Sequence, residues 1–166
     1  MTSFRLRNAI RDDLPSLMEI ENAAFATDRI SRRSWLDLIA SPSAAVMVVT
    51  EGPAVIGCAV TLRNARTSVA RLYSIAVSAR ARGQGIAGLL LEDATERAAR
   101  TGAAVIRLET RFDNIPAQKL FERSGFRPFE RVAGYYQDGA EAIRYQRLLS
   151  PRSRQCFTGE NTGSRR

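Results

Sequence analysis

Arg82-Gly83-Gln84-Gly85-Ile86-Ala87-Gly88 sets three glycines beside an arginine, directly before a stretch whose apolar residues take up helical spacing. Glycine lets an anion approach the backbone closely, and the first turn of a helix offers unpaired N–H groups at the positive end of its dipole. Such a turn suits a phosphate or pyrophosphate. A tight turn that only needs positive φ would also be written in glycine, so the chemistry rests on what flanks it. Further on, Glu109 stands near the end of the otherwise apolar run Val105 to Thr110, where a carboxylate can take or hold a proton. Its strand neighbours Arg107 and Arg111 are out of easy reach along an extended backbone, so Glu109 is expected to be free of them.

Gly83-Gln84-Gly85-Ile86-Ala87-Gly88 formally fits G-x-G-x-x-G, with Glu109 roughly where a ribose-binding acid would fall. The context speaks against a dinucleotide site. Five residues separate the preceding strand from the first glycine, the upstream chain reads as antiparallel strands, and 166 residues leave no room for two mononucleotide-binding halves and a substrate domain.

These residues must be held by regular elements. Leu72 to Val77 is a short apolar run that reads as a central strand. From Ile86 the residues Ile86, Leu89, Leu90, Ala94 and Ala98 share one helical face, and Gly102 stands where a left-handed residue would end the helix. A helical crossover forces Val105 to Thr110 to run parallel to Leu72 to Val77. Upstream, Phe4 to Arg7 reads as a first strand, Asp12 or Asp13 as the cap of a helix opening near Pro15, and Ser31 as the cap of a second helix carrying Trp35. Ala44 to Thr50 and Ala54 to Leu62 are strands joined at Glu51-Gly52-Pro53. Downstream, Asn114 caps a helix ending at Gly125, and Phe129 to Tyr136 with Ala142 to Leu148 form a closing hairpin. The expected class is α/β: a mixed sheet with antiparallel N-terminal strands and a central parallel pair, in one domain over residues 1–149. Residues 150–166 have no apolar periodicity and read as a disordered basic tail.

Composition narrows the function. There is no histidine, which excludes imidazole catalysis, and a metal site is not expected from two cysteines, Cys58 in a core strand and Cys156 in the tail. Met1 to Arg7 lacks the apolar core of a signal peptide and no run is long enough to span a membrane, so a cytoplasmic protein is expected, without a membrane partner. The net charge is +8, but the 24 arginines are scattered and do not alternate with aromatic residues. Nucleic acid is therefore not the expected partner; a polyanionic cofactor or an acidic partner suits such a surface.

Arg82-Gly83-Gln84-Gly85-Ile86-Ala87, preceded by a strand ending Ile75-Ala76-Val77, resembles the acetyl-coenzyme A motif R/Q-x-x-G-x-G/A of the GNAT superfamily of N-acetyltransferases. Leu108-Glu109-Thr110-Arg111, Asn114 and Ala117 to Phe126 resemble its second signature. Gly134-Tyr135-Tyr136 with Asp138 to Ala142 is similar to the RimI-like branch, which acetylates protein N-terminal amines. The resemblance implies the acyl-CoA N-acyltransferase fold, whose two parallel strands splay at their C-terminal ends. It implies acetyl-CoA as acyl donor and no metal. Ile75, Ala76 and Val77 would pair with the pantetheine arm, the amides of Arg82 to Gly88 would hold the pyrophosphate, and Asn114 would bond the cofactor besides capping its helix. Tyr135 and Tyr136 would face the substrate, the loop Thr27 to Ile30 would lie beside it, and Glu109 takes the place of the general base.

An α-amine with a pKa of about 8 is partly neutral at cellular pH, whereas a lysine at about 10.4 costs about 4 kcal/mol to deprotonate at pH 7.5. A carboxylate base is adequate for N-terminal amines. Phe121 departs from the branch, which places there a tyrosine that protonates the leaving thiolate. A thiol of pKa about 8.5 leaves as its anion at a cost of about 2 kcal/mol at neutral pH, so water, Tyr73, Tyr135, Tyr136 and Tyr145 all remain open as the proton source. Three readings stand: transfer to a protein or peptide N-terminus, transfer to a small amine such as an amino acid or antibiotic, and a regulatory module that binds acyl-CoA without turnover. The expected assembly is a monomer or a homodimer.

Overall fold

The computed structural model describes residues 3–150; apart from Ser150, the expected tail lies outside them. In chain order the elements are β1 (Phe4–Asn8), α1 (Leu14–Ala24), α2 (Arg32–Ala40), β2 (Ala44–Glu51), β3 (Ala54–Arg63), β4 (Val69–Val77), α3 (Ile86–Arg100), β5 (Val105–Arg111), α4 (Ile115–Arg123), β6 (Arg127–Val132) and β7 (Ala142–Leu148). The seven strands form one sheet in the order β1-β2-β3-β4-β5-β7-β6. Every pairing is antiparallel except β4 with β5, which α3 joins by a crossover.

That parallel pairing is short. It holds at Val69–Val105, Ala70–Ile106 and Arg71–Arg107 and then stops. From Leu72 onward β4 stays with β3, as far as Val77 opposite Gly57, while β5 from Leu108 stays with β7. The two strands therefore part, and one edge of β4 loses its ladder partner, leaving N–H and C=O groups for something else to pair. A bulge helps to open them: Thr61 faces Leu72 and Val60 faces Ser74, so Tyr73 is the extra residue on β4. The paired residues begin at Val69, three positions before the expected start of the strand at Leu72.

Helices α1 and α2 cover one face of β2, β3 and β4, burying Leu14, Leu17, Trp35, Val48 and Cys58. The other face is covered by α3 and by Phe121, Phe126 and Tyr145 against Ile106 and Leu108. Each fully buried leucine or isoleucine here contributes about 1.5–3 kcal/mol. Gly57 lets α3 approach the sheet: a Cβ there would lie 2.8 Å from Ile86 Cγ2 and 3.2 Å from Leu90 Cδ1. This seat fixes the rotation of α3 and corrects the expected apolar face. Leu91 is fully buried, whereas Leu89 is 42% exposed.

The start of α1 also differs. Asp13 makes no side-chain cap to it. Its carboxylate instead receives two hydrogen bonds from the Arg7 guanidinium, at 2.8 and 2.9 Å, and one from the Ile10 N–H at 2.8 Å. Ser31 does cap α2, accepting from the Ser34 N–H at 3.1 Å, and Gly102 does end α3 at φ +87°.

Candidate active site

The basic turn leaves β4 at Val77 and enters α3 through Gly85, which is left-handed at φ +79°, as Gly83 is at +77°. No side chain caps α3, so the N–H groups of its first turn are left for a ligand. At Gly83, Gly85 and Gly88 a Cβ would meet nothing within 4 Å, so the backbone is open to an incoming group on the side where glycine keeps it bare. Gln84 stays local, donating to the Arg80 carbonyl at 3.5 Å.

Where β4 and β5 part there is a cavity of about 600 Å³. Its walls are Arg71 to Ile75 of β4, Leu108 to Arg111 of β5, Asn114, Ala117 and Phe121 of α4, the loop after α1, and Tyr135, Tyr136 and Asp138. Of the residues read from sequence, Ile75, Glu109, Asn114, Tyr135 and Tyr136 meet here. Ala76 and Val77 lead away from the cavity toward the turn, and Arg82 to Gly88 lie outside its walls. The site thus has two ends joined by the free edge of β4.

Glu109 is nearly buried, its side chain 8% exposed. It is free of Arg107 and Arg111 as expected, but it is not unpaired. Arg71 lies 3.1 Å from Oε2, and Arg144, opposite on β7, lies 3.4 Å from Oε1. Arg71 also donates to the Tyr135 hydroxyl at 2.9 Å. Tyr135 and Tyr136 are not strand residues, since β6 ends at Val132. They sit in the loop before β7, edge to face at 5.0 Å. Burial raises both phenols, with Tyr136 pushed up to about 12, so both keep their protons at neutral pH.

That loop is tied down across the cavity. The Gln137 N–H donates to Asp28 Oδ2 at 3.2 Å, and Arg111 pairs with Asp138 at 2.8 Å. Asp28 is the one non-glycine residue at positive φ among those described, at 56°, which places strain in the segment flanking the cavity. Asn114 caps α4 through a hydrogen bond from the Ala117 N–H at 3.2 Å. Phe121 is buried against Phe126 and Tyr145. The Tyr145 hydroxyl donates to Glu122 at 3.2 Å and does not line the cavity, which removes it from the possible acids.

Glu21 was not foreseen. It is 2% exposed in the cavity wall, and it accepts from the Ile30 N–H at 3.2 Å and the Ser74 hydroxyl at 3.3 Å. Burial, before any other influence, raises its carboxyl above the ordinary range. Its sequence signal was a carboxylate in register with Leu14 and Leu17 on the apolar stripe of α1. Cys58 lies in the same layer, its thiol pushed up to about 12 by burial, which leaves it inert.

The sequence model of the acetyltransferase (GNAT) family matches residues 10–126. The chain belongs to the GNAT acetyltransferase family. A protein of Bacillus subtilis assigned as a ribosomal protein bS18-alanine N-acetyltransferase is 27% identical over 84% of this chain and 91% of its own. The N-alpha-acetyltransferase 30 of Schizosaccharomyces pombe is 42% identical, over 39% of this chain and 43% of that relative. The crystal structure of the Escherichia coli ribosomal-protein-S18-alanine N-acetyltransferase superposes with a TM-score of 0.79 at 26% identity, covering 96% of this chain and 98% of that one. This GNAT chain is accordingly an acetyl-CoA-dependent acetyltransferase. The open glycine turn and the free edge of β4 fit that donor, which when bound supplies an acetyl thioester. Among the described residues no helix is long and apolar enough to cross a membrane.

Proposed function

We propose that this enzyme transfers acetyl to the α-amine of a polypeptide N-terminus, with Glu109 receiving the proton the amine must lose. The observation that carries the proposal is the nearly buried Glu109 carboxylate in the wall of the cavity, at the point where β4 and β5 part. The names of the relatives in Bacillus subtilis and Escherichia coli support the acceptor. An α-amine is already partly neutral and asks little of the base, while a lysine side chain would cost about 4 kcal/mol to neutralise at pH 7.5. The amides of Arg82 to Gly88 would hold the pyrophosphate, and the free edge at Ile75, Ala76 and Val77 would pair with the pantetheine arm. Asn114 borders the cavity, and it would bond the cofactor while capping α4. Tyr135 and Tyr136 would contact the acceptor. Phe121 has no proton to give, so the leaving thiolate takes one from water or from Tyr73, Tyr135 or Tyr136, all in the cavity wall. Residues 1–149 form the catalytic unit, and the compartment is the cytoplasm.

The test is coenzyme A release in the presence of peptides, with fragmentation mass spectrometry locating the acetyl group. Acetyl on the α-amine of unblocked peptides, and none on α-blocked peptides containing lysine, is the expected result. Acetyl on lysine side chains alone, or on small amines alone, would replace this reading.

A further inference from the structure

Arg71 and Arg107 stand side by side where β4 and β5 still pair, and Arg144 reaches the same place from β7. Three guanidiniums share two carboxylates there: Glu109, between Arg71 and Arg144, and Glu130, 2.7 Å from Arg144. Among the described residues Arg107 has no carboxylate partner. Its Nε donates to Gln146 at 3.3 Å, and its guanidinium lies over the Phe129 ring at 5.1 Å, with Arg144 over the same ring at 5.3 Å. Like charges on adjacent strands repel, and neither an amide nor a phenyl ring neutralises a cation.

Arg71 spends Nε and Nη2 on Glu109 and Tyr135, which leaves Nη1 without a hydrogen-bond partner among the described residues. Its side chain is 42% exposed and lines the cavity. The other cavity carboxylates are engaged: Glu21 by Ile30 and Ser74, Asp28 by Thr27 and Gln137, Asp138 by Arg111. Helices α1 and α2 pack on β2, β3 and β4, and Phe129, between the two arginines, is 39% exposed. Among the described residues the cluster thus has one unneutralised cation and a planar donor edge held in place by Glu109, beside the cavity.

We propose that Arg71, with Arg107 behind it, binds a carboxylate carried by the acceptor close to its amine, and so selects acidic acceptors. This rests on the reading of the cavity as the acceptor site. An aspartate or glutamate among the first residues of a polypeptide is the source we assign; the α-carboxylate of a free amino acid offers the same chemistry.

The experiment compares kcat/KM for three peptides that differ only at the second residue, glutamate, glutamine or lysine, and for free alanine and glutamate. It uses the wild type, Arg71→Gln, Arg71→Lys and Arg107→Gln. The wild type should prefer the glutamate peptide over the glutamine peptide by about tenfold, expressed in KM, as expected of a hydrogen-bonded charge pair. That ratio should shrink in high salt. Arg71→Gln and Arg107→Gln should bring it toward one, and Arg71→Lys should restore part of it. A rise in melting temperature on adding coenzyme A, retained in each variant, shows that the fold is intact. Equal turnover of the three peptides overturns the inference and leaves N-terminal acetylation standing, as does a preference that survives all three substitutions. Acetylation of free amino acids without any peptide, lost in Arg71→Gln, keeps carboxylate recognition and refutes the polypeptide acceptor. No acetylation of any of these amines overturns both.

Discussion

Gly57→Ala tests how tightly α3 is seated, and with it the geometry of the glycine turn. The added Cβ would lie 2.8 Å from Ile86 Cγ2, 3.2 Å from Leu90 Cδ1 and 3.4 Å from the Ala76 carbonyl oxygen. A contact of 2.8 Å is shorter than carbon atoms tolerate. Leu90 can swing its terminal methyl, but Ile86 is 2% exposed, β-branched, and the first residue of α3. Relief therefore requires the first turn of α3 to lift from the sheet. Overpacking of this kind costs about 1–3 kcal/mol. For a domain of this size that is a fall in melting temperature of roughly 5 °C. The same shift displaces the N–H groups that follow Gly85, so coenzyme A should bind several-fold more weakly, seen as a smaller thermal shift at equal ligand concentration. Differential scanning fluorimetry with and without coenzyme A gives both readings. A variant that melts with the wild type and binds coenzyme A equally well would refute a rigid seat at Gly57.

Coenzyme A at one hundred times its dissociation constant should stabilise the wild type by about 2.7 kcal/mol. Gly85→Glu, which puts a carboxylate among the phosphate donors, should abolish that gain; a full shift in the variant would place the pyrophosphate elsewhere. For Glu21, burial raises the folded carboxyl, so the folded state holds the proton more tightly than the unfolded chain. Its stabilising contribution is present below the ordinary glutamate value of about 4.3 and is lost as pH rises through the raised folded value. Wild-type stability should therefore decline relative to Glu21→Gln over that window, and parallel denaturation curves across it would contradict the assignment. Asp13 has the opposite sign: the Arg7 hydrogen bond lowers its carboxyl, so its contribution is present above the ordinary aspartate range and lost as pH falls through the folded value. Asp13→Asn should remove that acid-side loss, and an unchanged slope would count against the pair.

The strand, turn and crossover helix were legible because each is local: a short apolar run, glycines, then a change to helical spacing. Ser31 and Gly102 were legible as caps for the same reason. The rotation of α3 was not, because Leu89 and Leu91 are equally apolar in the sequence and only the seat on Gly57 decides between them. The bulge at Tyr73 is a one-residue shift against β3, with no mark in its own strand. The partners of Glu109 were sought along β5, but they come from β4 and β7, where register across neighbouring strands places Arg71 and Arg144. Asp13 was read as a local cap, and a guanidinium from β1 competes better for it. Tyr135 and Tyr136 were assigned to a strand by composition, yet β6 stops before Gly134, left-handed at φ +63°.

The most direct test of proton transfer to Glu109 is the pH dependence of turnover in Glu109→Gln, with a peptide acceptor and saturating acetyl-CoA. Glutamine keeps the shape, but its single carbonyl oxygen can accept at only one of the two positions that Arg71 and Arg144 now share, so melting temperature should fall somewhat while coenzyme A affinity should change little. Turnover should fall by roughly 10² to 10⁴, and the rising limb of its pH profile should move up toward the pKa of the free amine. Unchanged turnover with an unchanged limb would contradict the mechanism and leave Glu109 as the anchor of two arginines.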